Sequence, residues 1–486
     1  MLSWSNLICF SHYSAAYLIY PPSNMAKRRG NRTQSTCGKQ NKLPINLVQD
    51  CISVLPDEVL VLILSLLSIK EAVSTCILSK RWKNVWKQIT CLNFFLDELS
   101  KTEKIKIGRQ VVEIPRTYNW VNQVLQLHQG QILDEFKLCS SSIDCDSTSE
   151  IDSWIELVIQ KKVRKFEIDL QGDRGVAPYC SHYTFPENLF RNPFGVSWFS
   201  WLTHLSLNYV NITSELVEHF ISNCQLLEHL FIAGSEYLED LKVVGELLRL
   251  KFLQICDCLN LFQLEISAPC LETFFYDGEC RYNINIRVTY APLLAKICIT
   301  EDFLFDSTTG DFQLFWNYLP QLVTLRLVLE KEPKLVPEFP ELTSLEFLSL
   351  SIARINRRSL LLLTSLIEGS PYLHRFKLRL RRSLMGCRHR RSKVISEANT
   401  SPHQCLKVVE LSGFSGSKHE TEVARYLIKK AVALKKLIID LDSKRILEEI
   451  NPLRPLSTKI KELEMARKHA LLLEKKLPLG GELIVL

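Results

Sequence analysis

Residues 227–255 read LEHLFIAGSEYLEDLKVVGELLRLKFLQI, and the stretch begins and ends on the same six-residue figure. Apolar residues hold its first, fourth and sixth places: Leu227, Leu230 and Ile232, then Leu250, Leu253 and Ile255. Alternation across the last three places is the period of a strand with one buried face. The figure recurs along the chain. LDEFKL from Leu133, VRKFEI from Val163 and LTHLSL from Leu202 come before it. LETFFY from Leu271, LAKICI from Leu294, LVTLRL from Leu322 and LEFLSL from Leu345 come after, then LHRFKL from Leu373, LKVVEL from Leu406 and LKKLII from Leu434. Twelve copies start 21 to 39 residues apart. No single copy can bury its own apolar face, so neighbours must stack to make a common core.

That period is the mark of a leucine-rich-repeat solenoid, and the fold class expected is an α/β solenoid. Twelve buried strands of an ordinary α/β domain is the alternative, and the even spacing argues against it. The repeats are irregular. The asparagine or cysteine that such repeats place after the strand is matched well only at Cys258, so an uneven arc is expected. Strand residues between the core positions face outward on the concave side. There His204, Glu228, Arg326, Arg375, Lys377 and Arg379 are candidates for binding a target protein. The run RLRRSLMGCRHRRSK, Arg379 to Lys393, reads as a basic loop in the longest late gap, with an acidic peptide or small anion as the sharper alternative. It contains no aromatic residue for base stacking, and no nucleic-acid partner is expected.

Ahead of the repeats stands LPDEVLVLILSLLSIKEAVSTCILSKRWKNVW, Leu55 to Trp86. Pro56 suits the first position of a helix, and Asp57 and Glu58 complement its dipole. Val59, Leu60, Ile63, Leu64 and Leu67 follow at helical spacing. Ser68 to Glu71 is a capping-box signal for a second helix carrying Ala72, Val73, Cys76 and Ile77. Ser79 can cap a third, with Trp82 and Trp86 on one side. Three short helices cannot bury this much apolar surface among themselves. They are either the top layer of a larger core or a docking module completed by a partner.

The stretch resembles an F-box, in the form LPDEVL…ILS.L..KE……LSKRW…W. The resemblance implies docking onto a Skp-type adaptor and, through it, a cullin scaffold in a ubiquitin ligase. It offers Leu55, Pro56, Ile63, Leu64, Leu67, Val73, Leu78 and Trp82 as residues that contact the adaptor or shape that face. Residues 402–440, PHQCLKVVELSGFSGSKHETEVARYLIKKAVALKKLIID, resemble the FBD domain at the C-terminus of many plant F-box proteins. The tail ARKHALLLEKKLPLGGELIVL is similar to the closing helix and strand of that family. A capped amphipathic helix between two apolar strands would make a βαβ-like terminal repeat. The organisation expected is a disordered leader at 1–48, an F-box at 52–92, repeats over 120–400 and an FBD-like cap over 401–486. The implied role is a non-catalytic substrate receptor for an unknown protein target. A scaffold serving another partner, or a repeat receptor for a small ligand, remains open.

Composition agrees with a folded protein. The 486 residues are 46% hydrophobic and 23% charged, with a formal net charge of +7. That mild excess requires no nucleic acid. Sixteen cysteines are scattered without a C-x-x-C pair, which fits reduced thiols and a cytoplasmic or nuclear home. No apolar run reaches membrane-spanning length, so no membrane partner is expected. The first residues lack a basic n-region and do not read as a signal peptide, and Met25 offers a second start. Lys27 to Arg29 could serve as a nuclear signal. The sequons at Asn31 and Asn211 are chance matches under this reading. Phosphate-binding glycine loops, the nucleophile elbow and H-E-x-x-H are all absent, so no cofactor, metal or active site is expected.

Overall fold

A computed structural model describes residues 52, 54–99, 102–107, 110–141, 148–171, 183–189, 199–278, 284–300, 317–329, 336, 339–352, 357–380, 402–441 and 456–486. The leader expected at 1–48, Asn31, and all of the basic run beyond Leu380 lie outside them. The elements below belong to one compact unit, Pro56–Leu486.

Three short helices lead, α1 (Asp57–Ser65), α2 (Ile69–Ser74) and α3 (Trp82–Val85), with 3-10 turns at Thr75–Ile77 and Trp86–Gln88. Next come β1 (Cys91–Phe95), α4 (Leu96–Leu99), β2 (Thr102–Ile107), β3 (Gln110–Pro115), α5 (Arg116–Leu127), β4 (Ile132–Cys139), α6 (Thr148–Ile159) and β5 (Lys162–Asp169). The middle holds β6 (Tyr183–Thr184), β7 (His204–Asn208), β8 (Val210–Asn211), α7 (Ser214–Asn223), β9 (His229–Ala233), β10 (Asp240–Val244), β11 (Phe252–Cys256), β12 (Gln263–Ser267), β13 (Thr273–Asp277), β14 (Asn285–Tyr290) and β15 (Lys296–Thr300). The remainder is β16 (Thr324–Leu329), β17 (Phe347–Ile352), α8 (Arg357–Glu368), β18 (Arg375–Leu380), β19 (Val408–Ser412), α9 (Lys418–Lys430), β20 (Lys436–Asp440), α10 (Leu456–Leu471) and β21 (Glu482–Val485).

One 14-stranded sheet runs β1-β4-β5-β7-β9-β11-β13-β15-β16-β17-β18-β19-β20-β21. Every pairing in it is parallel. Its order follows chain order without a reversal, which excludes a doubly wound α/β domain and gives an α/β solenoid. All twelve copies of the figure are strands of this sheet. Their alternate residues, such as Leu205, Leu230, Leu253 and Phe274, form one inward ladder and are essentially inaccessible. Removing each such side chain from water contributes ~2 kcal/mol, which no isolated repeat could collect. At the N-terminal end the ladder is aromatic, with Phe136 stacked on Phe166 at 5.5 Å.

The sheet has two strands more than the twelve copies supply, β1 and β21. β1 follows the same figure, Ile89, Leu92 and Phe94, all buried. A second parallel sheet, β10-β12-β14, fills the crossing segments of the middle repeats. It too carries the figure, at Leu238, Leu241 and Val243 and at Leu261, Leu264 and Ile266, every one at 0% exposure. Helices lie in other connections, among them α6 between β4 and β5, α8 between β17 and β18, α9 between β19 and β20 and α10 between β20 and β21.

Several main-sheet strands end alike. Tyr209 (φ 55°), Gly234 (φ 68°) and Asp257 (φ 50°) each follow a strand in left-handed conformation. Each donates its N–H onward, to the carbonyls of Ala233, Cys256 and Asp277. Left-handed backbone is unfavourable for residues with a Cβ, and Gly234 is glycine for a second reason. A Cβ there would lie 2.8 Å from the Tyr209 ring.

Candidate functional site

Two surfaces draw functional side chains together, one on the leading helices and one on the outward face of the large sheet. In the first, Pro56 is the N-cap of α1 rather than its first residue, and Asp57 and Glu58 occupy the first turn. Arg81 Nε donates to Asp57 at 2.6 Å, tying the third helix to the start of the first. The Ser68–Glu71 capping box is formed: Glu71 N–H donates to Ser68 Oγ and Ser68 N–H to Glu71 Oε2. Ser79 Oγ accepts from Trp82 N–H, and α2 stops at Ser74.

The eight residues that the resemblance offered for the adaptor face separate by burial. Pro56, Ile63, Leu67 and Leu78 are exposed, and Leu55 and Val73 are half-buried. Leu64 (1% exposed) and Trp82 (8%) are not available as contacts. With Leu60, Ala72 and Trp86 they are buried among the chain's own apolar residues, so they shape the face from beneath. Three open apolar residues of the module stand outside those eight, Leu66 (86%), Ile77 (85%) and Leu62 (63%). A signal for them exists, because α1 is apolar almost all the way round while only one of its sides can face the chain's own core.

The module runs straight into the sheet. Thr90 N–H donates to Ser65 Oγ at 3.1 Å, and Asp134 N–H to Thr90 O at 2.8 Å. Gln129 N–H reaches Lys87 O at 2.7 Å. His128 Nε2 lies 2.8 Å from Ile89 O, so it is the nitrogen that carries the proton. Burial pushes this imidazole down to about 4, with the Lys161 charge adding to the effect, so it is neutral near pH 7.

The second surface is made of three outward ladders on the sheet. Near its N-terminal end the charges pair off. Lys137 holds Glu167 at 2.6 Å, Asn208 donates to Asp169 at 2.7 Å, and Asn93 to Glu135 at 2.8 Å. In the middle the ladders turn apolar: Ala233, Cys256 and Phe275 cluster, with Phe231 and Cys298 against them. Burial raises the Cys256 thiol well above its ordinary range, so it stays neutral. Toward the C-terminal end the ladders turn basic. Arg375 and Lys377 both bind Glu410, at 2.9 and 2.5 Å. Burial alone would raise that carboxyl, but the two hydrogen bonds outweigh it and hold it low. The Arg326 and Arg375 guanidiniums both lie over the Phe347 ring, at 5.4 and 5.6 Å.

The six candidate target residues are therefore not one site. Arg326 on β16 and Arg375, Lys377 and Arg379 on β18 are two strand steps apart. His204 stands five strand steps from Arg326, about 24 Å. It stacks on His229 at 4.1 Å, and burial followed by that neighbour pushes it down to about 4. Glu228 precedes its strand and pairs with Lys251 at 3.1 Å. The Asn211 sequon is buried, and its Oδ1 accepts from Glu236 N–H.

Among the described residues no group of three His, Cys, Asp or Glu side chains could hold a metal ion. No described helix is long and apolar enough to cross a membrane. The nine described cysteines are free thiols.

Comparison with known proteins matches residues 52–92 to the F-box domain and residues 124–476 to the At1g61320/AtMIF1 LRR domain. The putative F-box/FBD/LRR-repeat protein At5g56810 of Arabidopsis thaliana is 29% identical over 432 residues, 81% of this chain and 90% of that one. F-box/FBD/LRR-repeat protein At5g56420 of the same plant is 25% identical over 448 residues, covering 84% and 96%. F-box/LRR-repeat protein At3g03360, also from Arabidopsis thaliana, is 28% identical over 264 residues, 49% of this chain, and that match spans about half of its own length, 47%. An F-box module fused to a parallel solenoid, matched over most of its length by the repeat domain, places the chain in the plant F-box/FBD/LRR-repeat family.

Proposed function

We propose that the protein is the substrate-recognition subunit of a Skp–cullin–F-box ubiquitin ligase. The observation that carries this is the unburied apolar rim of the F-box: Leu62, Leu66, Ile77 and Leu78, with Ile63 and Leu67 beside them. Six large apolar side chains left in water on one small module are the surface of an incomplete core, and a Skp-type adaptor supplies the rest. Leu55, Pro56 and Val73 extend the contact, while Leu64 and Trp82 hold its shape. The outward ladders of the solenoid take the target protein, and residues 401–486 close the repeats as an FBD-like cap. In this reading the chain performs no chemistry. It works by proximity, holding a target near a ubiquitin-charged enzyme on the cullin so that encounter becomes effectively intramolecular. Its home is the cytoplasm or nucleus, consistent with free thiols.

The test is co-purification of the full chain with a Skp-type adaptor, beside a Leu62→Glu/Leu66→Glu variant whose folding is checked by thermal melting. Wild type is expected to retain the adaptor and the variant to lose it at unchanged melting temperature. A variant that binds as well as wild type overturns the reading.

A further inference from the structure

The outward face of the sheet changes character along its length. On its rows from β15 to β19 stand Lys296, Arg326, Arg375, Lys377 and Arg379, against the single carboxylate Glu410. Beside them, on the row that carries Arg326 and Lys377, lies the apolar cluster of Phe231, Phe275 and Cys298, with Ala233 and Cys256 one row over. The register fixes the spacing. Phe275 pairs with Cys298, Cys298 with Arg326, Arg326 with Ser349, and Ser349 with Lys377. Strand steps of ~4.8 Å put Arg326 about 10 Å and Lys377 about 19 Å from Phe275. A segment in the extended polyproline-II conformation advances ~3.1 Å per residue with about three residues per turn, so these distances equal about three and six residues, all on one side of the segment.

We propose that this face binds an extended acidic segment of the target, anchored by one bulky apolar residue at the position of the buried Phe275, against the half-buried Phe231 and Cys298. Carboxylates about three and six residues to one side of the anchor meet Arg326 and Lys377. The inference rests on the receptor reading above and gives its target a chemical class. A small polyanion would use the cations and leave the apolar cluster without a role. A purely apolar peptide would leave the positive excess of this face, five cations against Glu410 alone, unmatched. Only a ligand with both features uses the face as it is arranged, and the charge complementarity also speeds its encounter.

The experiment pans the full chain, co-purified with a Skp-type adaptor, against a phage library of random dodecapeptides. Enriched peptides are then synthesised with a fluorophore and titrated by fluorescence polarisation. The expected peptides carry a large apolar residue with Asp or Glu about three and six places away. Arg326→Glu with Lys377→Glu should weaken them about tenfold or more, with a steeper loss in raised salt. Phe231→Ser, at a half-buried site that leaves the fold intact by thermal melting, should also weaken them about tenfold. The exposed Lys165→Glu on β5 should leave them unchanged. Enriched peptides without acids overturn the proposal, as do peptides indifferent to the Arg326/Lys377 reversal. Peptides sensitive to Lys165→Glu instead overturn it while keeping the sheet as a receptor surface. Peptides sensitive to none of these changes remove the receptor surface as well, and failure to retain the adaptor removes the ligase reading by itself. Inositol hexakisphosphate that binds wild type and Phe231→Ser equally, and displaces the peptides, marks a polyanion site and overturns the proposal.

Discussion

In the F-box, Leu62 and Leu66 stand in solvent at 63% and 86% exposure, while Leu230, Leu253 and Leu348 in the sheet are at 0%. The residue type is the same and the local patterns are equally apolar. The difference is the number of apolar neighbours that the fold supplies. Each repeat strand has a strand on both sides and a crossing segment behind it, so its leucines meet their complement within the chain. Helix α1 has two short helices and the first strand for company, enough to cover Leu60 and Leu64 but not the opposite side. Uncovered leucine in a folded module is therefore a statement about a partner, and buried leucine in the repeats is a statement about stacking.

Breaking the sheet side of this contrast should have the largest effect. Leu348→Ala empties a fully buried ladder position and should destabilise the repeats by about 2–5 kcal/mol, read by denaturant unfolding. Its counterpart is Leu66→Ala, which should change stability by less than ~0.5 kcal/mol yet weaken adaptor binding about tenfold, read by calorimetric titration. Equal stability losses in the two variants would erase the distinction.

The seam between the two regions should respond to acid. His128 is buried neutral, with its pKa down at about 4 against an ordinary 6.5, so unfolding lets it take up a proton between those values. Stability is full above pH 6.5 and should fall through that window as pH drops, by up to about 1.4 kcal/mol per pH unit. His128→Gln, which keeps a donor for Ile89 O and cannot titrate, should flatten that slope in melts taken between pH 7 and pH 4.5. The smallest expected effect is Ser68→Ala. It removes the cap of α2 and should lower F-box stability by about 1 kcal/mol without touching the repeats, visible as faster amide exchange confined to residues 57–88.

The repeat figure made most of the sheet legible. Leucine at the first place and apolar residues at the fourth and sixth are what a stacked strand needs, and the twelve copies all became strands. Three further copies escaped. Ile89, Leu92 and Phe94 straddle the expected F-box boundary at residue 92, although they begin the sheet. Leu238 and Leu261 start copies lying between counted ones, where a single-sheet picture left no place for them. Burial in the F-box was less legible, because helical spacing marks apolar faces without telling which face the chain itself covers. Leu64 and Trp82 fell on the inside and Leu66 and Ile77 on the outside for that reason. The left-handed turns at Tyr209 and Asp257 are harder still, since only glycine advertises such backbone in a sequence.

The strand order has a consequence for how the protein is made. Each strand of the large sheet bonds to the one that precedes it in that sheet's chain order, never to one that arrives much later. During synthesis a new repeat finds its template already in place, and assembly can keep pace with translation from the F-box outward. At every moment the growing chain exposes only one unfinished edge.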